Sequence, residues 1–242
     1  MKLRNRFFLC CFVFFVAPSS TLAAFDLEPF RAGSIKRWSK EIATLEAKDQ
    51  TETHPDNSIL FVGSSSIRLW NSIAQDMAPY HPIQRGFGGA RWTDVAIFAD
   101  RLITPHKFRA VVFFVANDIT GGSNHGLGDR TPQEVVELFA QVHSRVRAHN
   151  PTAPIFYIAV TPTAKRFDVW PQINNGNKLI SEFCQKSTDT YFIGTESIYL
   201  DAQGQPRLEL FVPDRLHLNP AGYKLWSAAI KSQLDSVLGG AK

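Results

Sequence analysis

The chain has 242 residues, 44% of them hydrophobic and 20% charged, which suits one globular domain with a sizeable core and excludes a disordered chain. The formal net charge of +4 is carried mostly by the first 24 residues; without them 23 basic residues face 22 acidic ones, leaving +1. That balance, with no basic block, excludes an electrostatic nucleic-acid surface. The one cysteine left, Cys184, excludes an intramolecular disulfide framework.

The chain opens with "MKLRNRFFLCCFVFFVAPSSTLAAFD". Lys2, Arg4 and Arg6 precede an apolar run from Phe7 to Ala17 that is too short to span a bilayer, and "STLAA" offers small residues for cleavage after Ala23 or Ala24. Residues 1–24 therefore read as a signal peptide and 25–242 as the mature domain. The expected location is the periplasm or the medium, with no stable membrane insertion after cleavage.

The mature part alternates. A helical pattern over 33–50 leads to an apolar run at 57–63, then helical spacing over 67–77. Further runs at 82–89, 108–118, 153–162 and 190–197 are separated by helical patterns over 91–103, 131–150, 170–187 and 219–238. Continuous apolar runs predict strands covered on both faces, and strict alternation predicts a parallel sheet between two helical layers. Thr131-Pro132 and Asn219-Pro220 supply a capping residue followed by proline for two of the helices.

Sites in open parallel sheets form beyond the carboxyl ends of the strands, and those ends carry the informative residues. The first strand runs into "GSSS", either a solvated turn or the seat of a nucleophile. The second ends in "GFGGAR", a tight turn or a close backbone approach to a substrate oxygen; Arg91 stands where a dinucleotide fingerprint needs its third glycine. "VAND" sets Asn117 and Asp118 after the third strand, with Asn117 a donor to an oxyanion or an Asx-turn residue. Of seven histidines, His54, His81, His106, His143 and His149 read as surface residues and His125 as part of a flexible loop. His217 differs, because Asp214 three positions earlier can orient its imidazole. The G-x-S-x-G elbow is absent, since "GSSSI" lacks the second glycine.

Taken in order, these pieces resemble the SGNH hydrolases, also called the GDSL esterase/lipase family. The resemblance runs from about Ser58 to Trp226. Gly63-Ser64-Ser65 stands in the place of the family's G-D-S motif, Gly89 in that of its oxyanion glycine, Asn117-Asp118 at the end of its G-x-N-D motif, and Asp214 and His217 in its final D-x-x-H. Ser64 replaces the family's Asp, and Val115 replaces the first Gly of G-x-N-D. The resemblance implies an α/β/α sandwich with about five parallel strands in flavodoxin-like order. It also implies a Ser65–His217–Asp214 triad and an oxyanion hole from Ser65, Gly89 and Asn117.

The expected activity is hydrolysis of carboxylic esters with short acyl groups, acetyl especially, on a glycan or other small alcohol. Residues 161–172 would form part of the pocket rim. No His/Cys/carboxylate cluster has metal-ligand spacing, so neither metal nor cofactor is implied. Two rivals stand beside this reading. One is a lysophospholipase or lipase-type acylhydrolase. The other is a catalytically silent carbohydrate-binding member of the fold, with Trp70, Trp92 and Trp170 as its platform.

Overall fold

A computed structural model describes residues 24–122 and 128–240. The expected signal peptide, apart from Ala24, and the loop residue His125 lie outside the described residues. Five strands form one sheet: β1 (Ile59–Gly63), β2 (Pro82–Gly86), β3 (Ala110–Phe114), β4 (Ile155–Ile158) and β5 (Thr190–Ile193). All are parallel, in the order β2-β1-β3-β4-β5. The order reverses beside β1, which creates the crevice where β1 and β3 deliver their carboxyl ends.

Alternate residues along each strand feed opposite faces, which is why the strands read as unbroken apolar runs. Leu60, Val62, Val111, Phe113 and Tyr157 join one core. Above it lie α1 (Glu28–Asp49), α4 (Trp92–Ile97), α5 (Ala99–Ile103), α6 (Pro132–His149) and α7 (Trp170–Lys186). Ile59, Phe61, Val112, Phe114 and Phe156 join the other. Its helices are α2 (Ser65–Arg68), α3 (Ile73–Asp76), α8 (Glu196–Tyr199) and α9 (Pro220–Leu238). The result is the three-layer sandwich expected, with the flavodoxin-like strand order. Among the described residues no helix is long and apolar enough to cross a membrane.

Local chemistry explains where elements start and break. Thr131 Oγ1 accepts from the Glu134 N–H at 3.2 Å while the Glu134 carboxylate accepts from the Thr131 N–H at 2.6 Å, a reciprocal cap for α6. The helical pattern over 67–77 resolves into two single turns, α2 and α3. The Asp76 carboxylate at the end of α3 accepts from Trp70 Nε1 and Ser72 Oγ in the link between them, both at 2.6 Å, and these bonds stabilise the break. The pattern over 91–103 divides at Phe98. The last strand stops at Ile193, and Thr195 opens α8.

The tryptophan platform of the rival reading and the surface reading of the histidines are both corrected. Trp70 and Trp92 are fully buried. Trp70 stacks on Tyr223 at 5.2 Å between ring centroids, and Trp92 on Tyr157 at 5.7 Å. Each ring removes more apolar surface from water inside a core than at a rim, so neither is a binding platform; Trp170 is half-buried against the core. Nor are all the histidines superficial. His106 is buried near Arg85 and Asp49, and His143 is half-buried with its Nε2 3.0 Å from Thr190 Oγ1.

Burial pushes the His106 imidazole down to about 4, helped by the cation of Arg85 and opposed by Asp49. Arg85, itself buried, is held at 2.8 Å (Nε) by Asp49 and at 2.9 Å (Nη2) by Glu52. In an unfolded chain histidine takes its proton near 6.5, so between that pH and about 4 the unfolded state binds more protons at this residue. Stability therefore falls as pH drops from about 6.5, and this loss is complete below about 4. His106→Gln should flatten that part of the curve of melting temperature against pH; an unchanged slope would show that His106 does not contribute to it.

Candidate active site

The site starts from a steric constraint at the end of β1. A Cβ on residue 63 would lie 2.1 Å from the Phe114 carbonyl oxygen, so only glycine lets β1 approach β3 this closely. The Ser64 N–H then bonds that same carbonyl at 3.0 Å, which turns the chain off the sheet into α2. Ser64 is buried, and the Ser66 carbonyl accepts from Tyr223 Oη at 2.8 Å. Ser65, half-buried, opens α2, where first-turn N–H groups have no intrahelical acceptor.

The Ser65 hydroxyl lies 2.9 Å from His217 Nε2. On the other side of the ring, His217 Nδ1 lies 2.5 Å from Asp214 Oδ2. The second carboxylate oxygen, Oδ1, accepts from the backbone N–H groups of Leu216 (2.8 Å) and His217 (2.9 Å). Partial burial raises the Asp214 carboxyl, but the N–H of His217, its imidazole and the Leu216 N–H outweigh that and hold it below its ordinary value. An ionised carboxylate can only accept, so the proton sits on Nδ1 and leaves Nε2 as the acceptor for the serine hydroxyl. This chain of contacts can take the Ser65 proton and stabilise the imidazolium that results.

The loop carrying Asp214 and His217 is held on several sides. Arg215 adopts φ +58, an uncommon conformation for a side chain of its size, at the bend between the two. Its carbonyl accepts from the Lys165 N–H at 3.1 Å. The Val212 N–H bonds the His217 carbonyl at 2.9 Å, and Asn219 caps α9 through Gly222 N–H at 3.0 Å.

Opposite the serine stand Asn117 and the turn after β2. Asn117 Nδ2 donates to the Ala90 carbonyl at 3.0 Å. Gly89 is exposed on that turn, and a Cβ there would meet only Asn117 Nδ2, at 3.9 Å. Asp118, the next residue, turns inward and accepts from the Trp92 N–H at 3.0 and 3.1 Å, fastening α4 to the end of β3. Burial pushes its carboxyl up to about 7, against the pull of that N–H and of Arg91. Asp118 thus belongs to the scaffold. Arg91 does too: its Nη1 donates to the Gly128 carbonyl at 2.8 Å.

Ser65, His217, Asn117, Thr161, Thr163 and Arg166 are among the residues that line an open cleft of about 440 Å³. The structure places Ser65, Asp214, His217 and Asn117 near one another, with Gly89 next to Asn117. The rim expected from 161–172 is there in part, through Thr161, Thr163 and Arg166. Sequence reasoning did not single out Arg166. Its Nη2 donates to Asn117 Oδ1 at 2.7 Å and its Nη1 to the Ala116 carbonyl. Nothing in "TPTAKRFDVWPQ" distinguishes this arginine from a solvated one. A second, apolar cavity of about 290 Å³ shares Ala116 and Val160 with the cleft and includes Val115 in its lining. Among the described residues no group of three or more His, Cys, Asp or Glu is placed to hold a metal ion.

A comparison with curated protein sequences yields no match. Solved structures share the fold. A Streptococcus pneumonia protein described as a candidate platelet activating factor has a TM-score of 0.70 at 18% identity, covering 86% of this chain and 97% of its own. A GDSL-like lipase from Bacteroides thetaiotaomicron has a TM-score of 0.67 at 15% identity, covering 81% and 98%. The acetyl xylan esterase AlAXEase has a TM-score of 0.56 at 18% identity, covering 73% and 99%. Residues 57–225 match the GDSL-like Lipase/Acylhydrolase family, a span that runs from just before β1 into α9 and takes in Ser65, Asn117 and His217, and the chain therefore belongs to that family.

Proposed function

We propose that the chain is an exported serine esterase that removes short acyl groups, acetyl above all, from a glycan or another small alcohol. The observation that carries this reading is the unbroken contact chain from Ser65 through His217 to Asp214. His217 Nε2 takes the hydroxyl proton as Ser65 Oγ bonds to the ester carbonyl carbon. The oxyanion is met by the N–H groups of Ser65 and Gly89 and by the Asn117 amide, each worth roughly 3 kcal/mol to the transition state. As the intermediate collapses, the bond to the alcohol oxygen breaks and His217 returns the proton to it. Water then attacks the acyl-enzyme with the same base, releasing the acid and restoring Ser65. Asp214 keeps Nδ1–H in place throughout.

Geometry favours Ser65 over its neighbours, since Ser64 is buried and Ser65 is the member of the cluster that touches His217. Ser65→Ala should lower turnover by roughly 10⁴–10⁶ and abolish covalent labelling by a fluorophosphonate. Labelling that survives in Ser65→Ala but disappears in Ser64→Ala would overturn the assignment.

The preference for a short acyl group rests on what lines the cleft. Asn117, Thr161, Thr163 and Arg166 bring polar groups close to Ser65, and the apolar cavity beyond Ala116 and Val160 is small. The likeness to an acetyl xylan esterase points the same way. Across a series of p-nitrophenyl esters, kcat/KM should be highest for acetate and fall with chain length, and acetylated glycans should release acetate. A rise towards octanoate would favour the lipase-type reading instead.

We also propose that the signal peptide is removed on export, by cleavage after Ala23 or Ala24. Intact mass measurement of the exported protein should show an N-terminus at Ala24 or Phe25; a protein that keeps Met1 would contradict this.

A further inference from the structure

We infer that Arg166 is a positioning residue for the proposed reaction: it sets which face of the Asn117 carboxamide meets the substrate. The inference rests on the oxyanion role proposed above for Asn117. Arg166 comes from the turn after β4, where its own backbone (φ −124, ψ 20) departs from helical geometry within Ala164–Val169. The neighbouring Lys165 N–H bonds the Arg215 carbonyl, so this turn and the loop bearing His217 are tied together.

Donors and acceptors decide the orientation of the carboxamide. A guanidinium has only N–H groups to offer, and a backbone carbonyl has only an oxygen. Asn117 lies between one of each. Arg166 Nη2 is 2.7 Å from one end of the carboxamide, and the Ala90 carbonyl is 3.0 Å from the other. The end facing Arg166 must therefore be Oδ1 and the end facing Ala90 must be the NH₂ group. The reverse rotamer would set an N–H against a cation and an oxygen against an oxygen. With one amide N–H donated to Ala90, the second is the one free to be offered to the cleft.

Charge adds to orientation. Burial lowers the Arg166 guanidinium below its ordinary value, while the carboxylates of Asp129 and Asp118 pull it back up. It stays cationic at neutral pH, since arginine is not deprotonated in proteins. A cation on Oδ1 polarises the carboxamide and makes its N–H groups stronger donors, as in other chains of hydrogen bonds in a low dielectric. Arg166 also holds the Ala116 carbonyl, so it fixes both the side chain and the backbone from which Asn117 projects.

A double-mutant cycle tests this, with every rate divided by the number of sites titrated with fluorophosphonate so that misfolded protein is not counted. Asn117→Ala should lower kcat by on the order of 10²–10³. Arg166→Met should lower kcat about 10- to 100-fold with KM changed by less than about two-fold, because the donor it sets acts on developing charge. Arg166→Lys, which keeps a cation but not the planar fork, should recover part of that loss. In the Asn117→Ala background, Arg166→Met should cost less than about two-fold. The same fold-loss in both backgrounds would overturn the inference, as would a loss confined to KM or a fall in melting temperature with kcat per titrated site unchanged. If Arg166→Met does not fold, Arg166→Lys carries the same cycle. Failure of the underlying reading looks different: no titratable site in the wild type, or no loss of kcat in Asn117→Ala alone.

Discussion

The 2.9 Å contact between Ser65 Oγ and His217 Nε2 joins segments 152 residues apart, and much of the molecule serves to bring them to one place. Ser65 is placed by the sheet. Gly63 sits in register with Phe114 of β3, and the absence of a side chain there lets the Phe114 carbonyl take the Ser64 N–H. His217 is placed by α9 and the loop before it. Asn219 caps α9, bonds the carbonyls of Glu209 and Phe211, and so anchors the strand-like pairing of Phe211 with Leu218. The two halves are then joined directly. Tyr223 of α9 donates to the Ser66 carbonyl, and its ring stacks on the Trp70 indole, beyond the end of α2.

Apart from the exposed bond to Glu209, these supports are buried or part-buried, whereas Asp214 at the end of the contact chain is exposed. A carboxylate in water competes with solvent for its partner, and surface ion pairs alone contribute little. Here two backbone N–H groups orient Oδ1, so Oδ2 meets the imidazole without the side chain having to choose among rotamers. Arg215, held at φ +58 between the two residues, is where the loop accepts an unfavourable backbone conformation to achieve that alignment.

The fold was legible from the strands, since 59–63, 110–114 and 155–158 are apolar at every position and demand cover on both faces. The long helices were legible from caps such as Thr131-Pro132 and Asn219-Pro220. The short ones were not. The break between α2 and α3 depends on a carboxylate, Asp76, that draws an indole and a hydroxyl together, and periodicity carries no record of such a bond. Among the residues of the candidate site, those in short motifs were visible: Ser65, Gly89, Asn117, Asp214 and His217. Arg166 was not, because its partners come from the end of β3, about fifty positions earlier, and only the packing of the strand-end loops brings them together. Exposure of Trp70 and Trp92 belonged only to the rival binding reading, and both are buried, where the apolar area of an indole is removed from water.

Chemical capture of the intermediate tests the Ser65–His217 pair most directly. The enzyme is mixed with a radiolabelled acetyl ester, quenched in acid within the first turnover, digested and mapped. A stoichiometric acetyl group should appear on the peptide that contains "GSSSIR", located at Ser65 by fragmentation, and should accumulate only when His217 is intact. Release of product with no acetylated peptide at any time point, or acetyl found on another residue, would contradict it.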